Sequence, residues 1–146
     1  MKRVEKALDI FNKGFNCAQS VLYAFSEDFG LNGNMALRIG GAFGSGIARM
    51  GNICGAVNGA FMVIGLKHAK LSPDDNKEKE RAYKLARIFF EKFISRHSSI
   101  ICKELLGYDM SKPEEFKIIN ERNLTSLLCP EFVQSAVEIL EEILNK

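Results

Sequence analysis

A helical hydrophobic period runs through most of this chain and leaves little room for a sheet. Ala82, Leu85, Ala86, Phe89, Phe90, Phe93 and Ile94 recur every three or four positions, as do Ala18, Val21, Leu22, Phe25 and Phe29. That spacing gathers apolar side chains on one side of a helix. No window alternates with the period of two that a half-buried strand needs. The expectation is an all-α fold: a compact bundle of about six to eight helices, with residues 1–146 as one domain.

Start and stop signals divide the chain. A first helix is expected over residues 4–13, stopped by Gly14. Asn16 caps a second that Gly30 ends. A short helix covers residues 34–39, and the glycine-rich residues 40–46 follow as a flexible connection. Residues 52–70 form a third substantial helix that Ser72-Pro73 terminates, and the long amphipathic helix then runs to about His97. Ser98 or Ser99 caps a short helix carrying Cys102, Leu105 and Leu106, and Pro113 opens another to about Asn120. Cys129-Pro130-Glu131 reads as the start of the last helix, because proline at the first helical position and an acid beside it both favour an N-terminus.

Composition excludes several functions. Lys plus Arg exceeds Asp plus Glu by 20 − 18 = 2, with the signs interspersed, so no basic patch for nucleic acid is expected. The most apolar stretch, residues 53–66, is shorter than the roughly 20 residues of a bilayer span and holds Asn58 and three glycines. No membrane insertion is expected. Asp9, Asn12 and Lys13 interrupt any signal-like run after the N-terminus, so a cytoplasmic location is expected. In a reducing compartment, cysteines that matter tend to be metal ligands or catalytic groups rather than staples.

Four cysteines, Cys17, Cys54, Cys102 and Cys129, stand on four different helical segments, and no two form a local CxxC. Thioredoxin-like and zinc-finger spacings are therefore absent, and any shared site must be assembled by tertiary folding. Helical phase turns all four towards inward faces. Cys54 and Cys129 sit at expected helix starts, where free N–H groups and the helix dipole lower a thiol pKa. Gly55, Ala56, Gly59 and Ala60 form a side-chain-poor ridge beside Cys54 that admits either a neighbouring helix or a cofactor.

These residues carry a resemblance over nearly the whole chain. Phe15-Asn16-Cys17-Ala18-Gln19-Ser20-Val21, the glycine-rich residues 40–46, Cys54-Gly55-Ala56-Val57-Asn58-Gly59-Ala60, Cys102-Lys103-Glu104-Leu105-Leu106-Gly107-Tyr108-Asp109 and the late Cys129 resemble a four-cysteine family of redox-active proteins named for its CGAxxG motif. The resemblance implies a helical fold and a redox role for the cysteines. A similar domain occurs in a split-Soret type cytochrome beside an iron-sulfur centre, but this chain has no CxxCH motif for haem. The family brings no established reaction or substrate.

The leading expectation is that the four thiols converge on one centre. That centre is an iron-sulfur cluster, or reversible thiol/disulfide pairs with no cofactor, Cys129 being the best nucleophile. Gly55, Ala56 and Gly59 are the expected cofactor-approach residues. Two other classes compete: a structural zinc site with the same four ligands, and an interaction module serving a redox partner protein or a membrane transporter, its cysteines merely buried. Whether the protein is an enzyme stays open.

Other motifs point to bland roles. Gly41-Ala42-Phe43-Gly44-Ser45-Gly46 lacks the βαβ context of a nucleotide loop and reads as a segment passing close to the cysteines. His68 and His97 read as partly exposed helix-end caps rather than ligands. Phe25, Phe29, Phe89, Phe90, Phe93, Met50 and Met62 are expected in the core. Ile139, Leu140, Ile143 and Leu144 offer a seam for a homodimer.

Overall fold

The computed structural model describes residues 2–145. Its helices in chain order are α1 (Arg3–Asn12), α2 (Cys17–Ser26), α3 (Gly33–Ile39), α4 (Gly55–His68), α5 (Asn76–His97), α6 (Cys102–Leu106), α7 (Pro113–Glu121) and α8 (Leu124–Leu144), with one 3-10 turn, Glu27–Phe29, after α2. Among the described residues there is no strand, only an isolated antiparallel bridge between Ile53 and Ile101. The all-α expectation holds. No helix of the described residues is long and apolar enough to cross a membrane.

The start of α2 is fixed by a reciprocal cap. Asn16 Oδ1 accepts the Gln19 N–H at 2.8 Å, and Gln19 Oε1 accepts the Asn16 N–H at 2.9 Å, satisfying two N–H groups that a helix start otherwise leaves unpaired. The same two side chains reach further. Gln19 Nε2 donates to the Leu37 carbonyl at 2.9 Å and Asn16 Nδ2 to that of Gly40 at 3.1 Å, tying the end of α3 to the start of α2.

Helix α4 is apolar on nearly every side, the mark of a helix buried all round. Its glycine ridge is spent on α2: a Cβ on Gly59 would lie 2.8 Å from the Ala18 carbonyl oxygen, and one on Gly55 3.0 Å from the Ala18 nitrogen. Helix α8 crosses α1, α2, α4 and α5 and closes the bundle. Phe25, Val57, Phe89, Phe93, Val133 and Leu140 are fully buried between these elements. The Phe89 and Phe93 rings stack at 5.8 Å, and Phe61 meets Phe89 edge-on at the same separation. Burying each such side chain contributes about 1.5–3 kcal/mol.

Several expectations need correction. The last helix does not start at Cys129-Pro130. Asn123 takes a left-handed turn at φ 54°, α8 begins at Leu124, and Pro130 lies inside it. Proline there removes the hydrogen bond to the Ser126 carbonyl, and Ser126 is exposed to water. Helix α4 starts at Gly55 rather than Asn52 because Asn52 and Cys54 are drawn into backbone pairing: Cys54 N–H donates to Ile100 O at 2.7 Å and Cys102 N–H to Asn52 O at 2.6 Å. Phe90 is 40% and Met50 51% exposed. Adjacent Phe89 and Phe90 point about 100° apart on a helix of 3.6 residues per turn, and Phe89 takes the core.

His68 is buried, with Nδ1 3.4 Å from Glu78 Oε2, rather than a partly exposed cap. The supposed dimer seam, Ile139, Leu140, Ile143 and Leu144, is buried in the chain's own core. The connection expected to be flexible is instead a hydrogen-bonded left-handed turn. Ser45, Gly46, Ile47, Ala48 and Arg49 all have φ between 49° and 70°. Ala48 N–H donates to Ala42 O at 3.0 Å and Asn52 N–H to Gly46 O at 2.9 Å. Each non-glycine residue in that conformation costs about 1–2 kcal/mol.

Candidate redox site

Each cysteine is delivered by a different element. Cys17 is the first residue of α2, just inside the Asn16 cap; Cys54 is the N-cap residue of α4; Cys102 opens α6; Cys129 lies in the second turn of α8. All four are buried, at 8%, 5%, 7% and 9% exposure, and all four are free thiols. Together they line a single cavity of about 420 Å³ at the helix ends. The inward phase read from the sequence is thereby realised, and the four side chains share one space.

They do not share it evenly. Cys17 and Cys129 are coupled most strongly: a thiol–thiol hydrogen bond is the largest influence on the acidity of both. Cys54 and Cys102 are placed by the backbone instead. Each stands one residue beyond the Ile53–Ile101 bridge. Both thiols open on the same cavity.

Glycines make this placement possible. Gly46, at φ 70°, passes so close to Cys102 that an added Cβ would lie 2.6 Å from the Cys102 Cβ. A Cβ on Gly55 would lie 3.1 Å from that of Cys17.

The electrostatics follow this asymmetry. Cys17 is pushed well above the ordinary thiol range, first by its hydrogen bond to Cys129, then by burial, then by the charges of the other three thiols. The same hydrogen bond lowers Cys129 against the opposing effect of burial. Burial raises Cys54 to about 12, although the backbone N–H groups of Ala56 and Val57 pull it down; burial and the nearby Cys129 raise Cys102 to about 12. The helix-start argument thus applies to Cys54 and is outweighed there. For Cys129 it does not apply, and the lowered pKa has another cause.

The remaining candidates divide. Gly55 lines the cavity, and so do Ser45 and Gly46 of the left-handed turn, as expected of that loop. Ala56 and Gly59 do not line it; Ala56 is in the core and Gly59 faces α2. His97 is half-buried between Phe93 and Phe132, with Nε2 2.8 Å from Ser135 Oγ and its pKa lowered chiefly by burial. Phe11, Phe15, Thr125, Ser126 and Phe132 complete the cavity wall. None carries a sequence signal for that role, because the wall exists only once α1, α2 and α8 have packed.

Among the described residues no group of three or more His, Cys, Asp or Glu side chains is gathered closely enough to hold one metal ion. A tetrahedral zinc site with 2.3 Å Zn–S bonds would bring its sulfurs to about 3.8 Å from one another. The zinc staple draws no support from this arrangement.

Fold and site together define an all-helical protein with four thiols on one buried cavity. A family model described as "Putative redox-active protein (C_GCAxxG_C_C)" matches residues 15–143, and the chain belongs to that family. Its stretch after the bridge reads Cys54-Gly55-Ala56-Val57-Asn58-Gly59, with the cysteine ahead of the first glycine. No curated protein and no solved structure matches the chain.

Proposed function

We propose that the protein is a dithiol redox carrier whose working couple is Cys17 and Cys129. The contact between these two thiols carries the reading: one is made more acidic, and the other stands beside it holding a proton. The thiolate is the reactive form, and exchange proceeds through a mixed disulfide. In this reading the Cys129 thiolate attacks one sulfur of an oxidised partner's disulfide, and the partner's other sulfur leaves as a thiolate. Cys17 passes its proton to that leaving sulfur and attacks Cys129 Sγ, releasing the partner's second thiolate. The protein is oxidised by two electrons to a Cys17–Cys129 disulfide, and the partner is reduced to two thiols, the second taking from water the proton that Cys129 had given up. A cytoplasmic setting belongs to this proposal, since thiols there are kept reduced and disulfides are transient.

A second reading rests on a different observation, the presence of four buried thiols on one cavity rather than two. Cys17, Cys54, Cys102 and Cys129 suit an iron-sulfur cluster as a donor set. A cluster spreads its ligands over several irons, so its thiolates need not meet around one point. Bound there, it would supply one-electron transfer, and the chain would contribute the thiolates and an apolar shell of Phe11, Phe15 and Phe132.

Anaerobic purification followed by a thiol/disulfide redox titration separates the two. The dithiol reading expects a colourless protein with one two-electron couple per chain. Stoichiometric iron and sulfide with visible charge-transfer bands would replace it with the cluster.

A further inference from the structure

The cavity wall has an unusual composition: of the described residues that line it, none is Asp, Glu, Lys, Arg or His, in a chain of which 26% is charged. Besides the thiols, its polar side chains are Asn12, Asn16, Ser45, Thr125 and Ser126. Of the charges just outside the wall, Asp109 is near enough to raise Cys102 and accepts hydrogen bonds from Ser111, while two others are engaged elsewhere. Lys13, between the lining residues Asn12 and Gly14, has Nζ 3.0 Å from Asp9 Oδ2, and Glu131, next to Pro130, acts on His97. At about 420 Å³ the space lies within the range of small-molecule sites.

From this we infer that the site takes a low-molecular-weight disulfide that carries no negative charge as its oxidant, and disfavours anionic ones. The inference rests on the dithiol reading above. A carboxylate entering the cavity would gain no counter-ion from its wall and would face the Cys129 thiolate, whereas hydroxyl or amide groups can pair with the Asn, Ser and Thr side chains. The step balances as before: the Cys129 thiolate, the Cys17 thiol and one R–S–S–R give a Cys17–Cys129 disulfide and two R–SH, one proton coming from Cys17 and the other from water.

The test uses three disulfides of similar size on the reduced full chain: hydroxyethyl disulfide (neutral), dithiodiglycolate (anionic) and cystamine (cationic). Each rate of Cys17–Cys129 disulfide formation is divided by the rate at which the same probe oxidises a free neutral dithiol in solution, which removes its intrinsic reactivity. The neutral probe is expected to lead dithiodiglycolate by roughly tenfold or more, the scale of discrimination that an unpaired charge produces, and cystamine is expected to keep pace with the neutral probe. Ser126→Lys, a change at an exposed position of α8, is expected to raise the normalised dithiodiglycolate rate towards that of the neutral probe. A normalised dithiodiglycolate rate equal to or above the neutral one, or cystamine slowed as much as dithiodiglycolate, would overturn the specificity while leaving the dithiol couple standing. Failure of all three probes to form the Cys17–Cys129 bond would overturn the couple and the specificity with it.

Discussion

The two halves of the thiol cluster are built by different means. Cys17 and Cys129 come from helices α2 and α8, which pack side by side, and each thiol is the largest influence on the other's acidity. Cys54 and Cys102 are pinned by backbone hydrogen bonds across a single bridge, and both line the cavity as free thiols. All four are about equally buried. Burial therefore does not separate a reactive thiol from an inert one here; contact does. Where a second thiol donates, as at Cys129, the pKa falls despite burial, and where burial dominates it rises to about 12, as at Cys54 and Cys102.

The largest expected effect breaks the comparison outright. Cys129→Ser should abolish the oxidised form of the couple, measured as loss of the two-proton mass change after mild oxidation. The double change Cys54→Ser and Cys102→Ser should retain it. Equal loss in both would mean that the halves are not distinct.

Next in size is the close packing under Cys17. Gly55→Ala places a Cβ against Ala18 and Cys17, so α2 must move away from α4 at a cost of about 1–3 kcal/mol. Denaturant unfolding should show that loss, together with slower formation of the Cys17–Cys129 disulfide. An unchanged rate in a destabilised variant would show that the couple does not depend on this packing.

The pH dependence sharpens the contrast. Cys54 and Cys102 ionise near 12 in the folded chain against an ordinary value of 9.0. Above pH 9 the unfolded chain binds fewer protons at these two positions than the folded chain does, so stability should fall as pH rises from 9 towards 12. The Cys54→Ser, Cys102→Ser pair should flatten that fall; an unchanged slope would place its cause elsewhere. Alkylation in the native state should meanwhile reach Cys129 at lower pH than any other cysteine, and Cys17→Ser should move that reaction to higher pH.

The smallest expected effect concerns the left-handed turn beside Cys102. Ala48→Gly relieves a strained φ of 49° and should stabilise the fold by about 1 kcal/mol or less, read as a small rise in melting temperature. A loss of stability would mean that the Ala48 methyl contributes packing that outweighs the strain.

Much of the fold was legible because periodicity and caps act locally. The Asn16 cap, the Gly30 stop and the stripe through Phe89 and Phe93 all hold. The start of α8 was misread because Pro130 tolerates a position inside a helix when the carbonyl it deprives lies at an exposed residue. The Ile53–Ile101 bridge left no sequence trace, since a single pair of residues creates no alternation. That Cys129 would touch Cys17 rather than Cys54 or Cys102 was beyond any reading of phase, which orients a side chain but does not choose its neighbour.

Peptide mapping after oxidation of the reduced, metal-free chain with one equivalent of a small disulfide tests the central claim most directly. The expected product links the peptides containing Cys17 and Cys129 and leaves Cys54 and Cys102 free to alkylate after unfolding. A product dominated by a Cys54–Cys102 link would contradict the account.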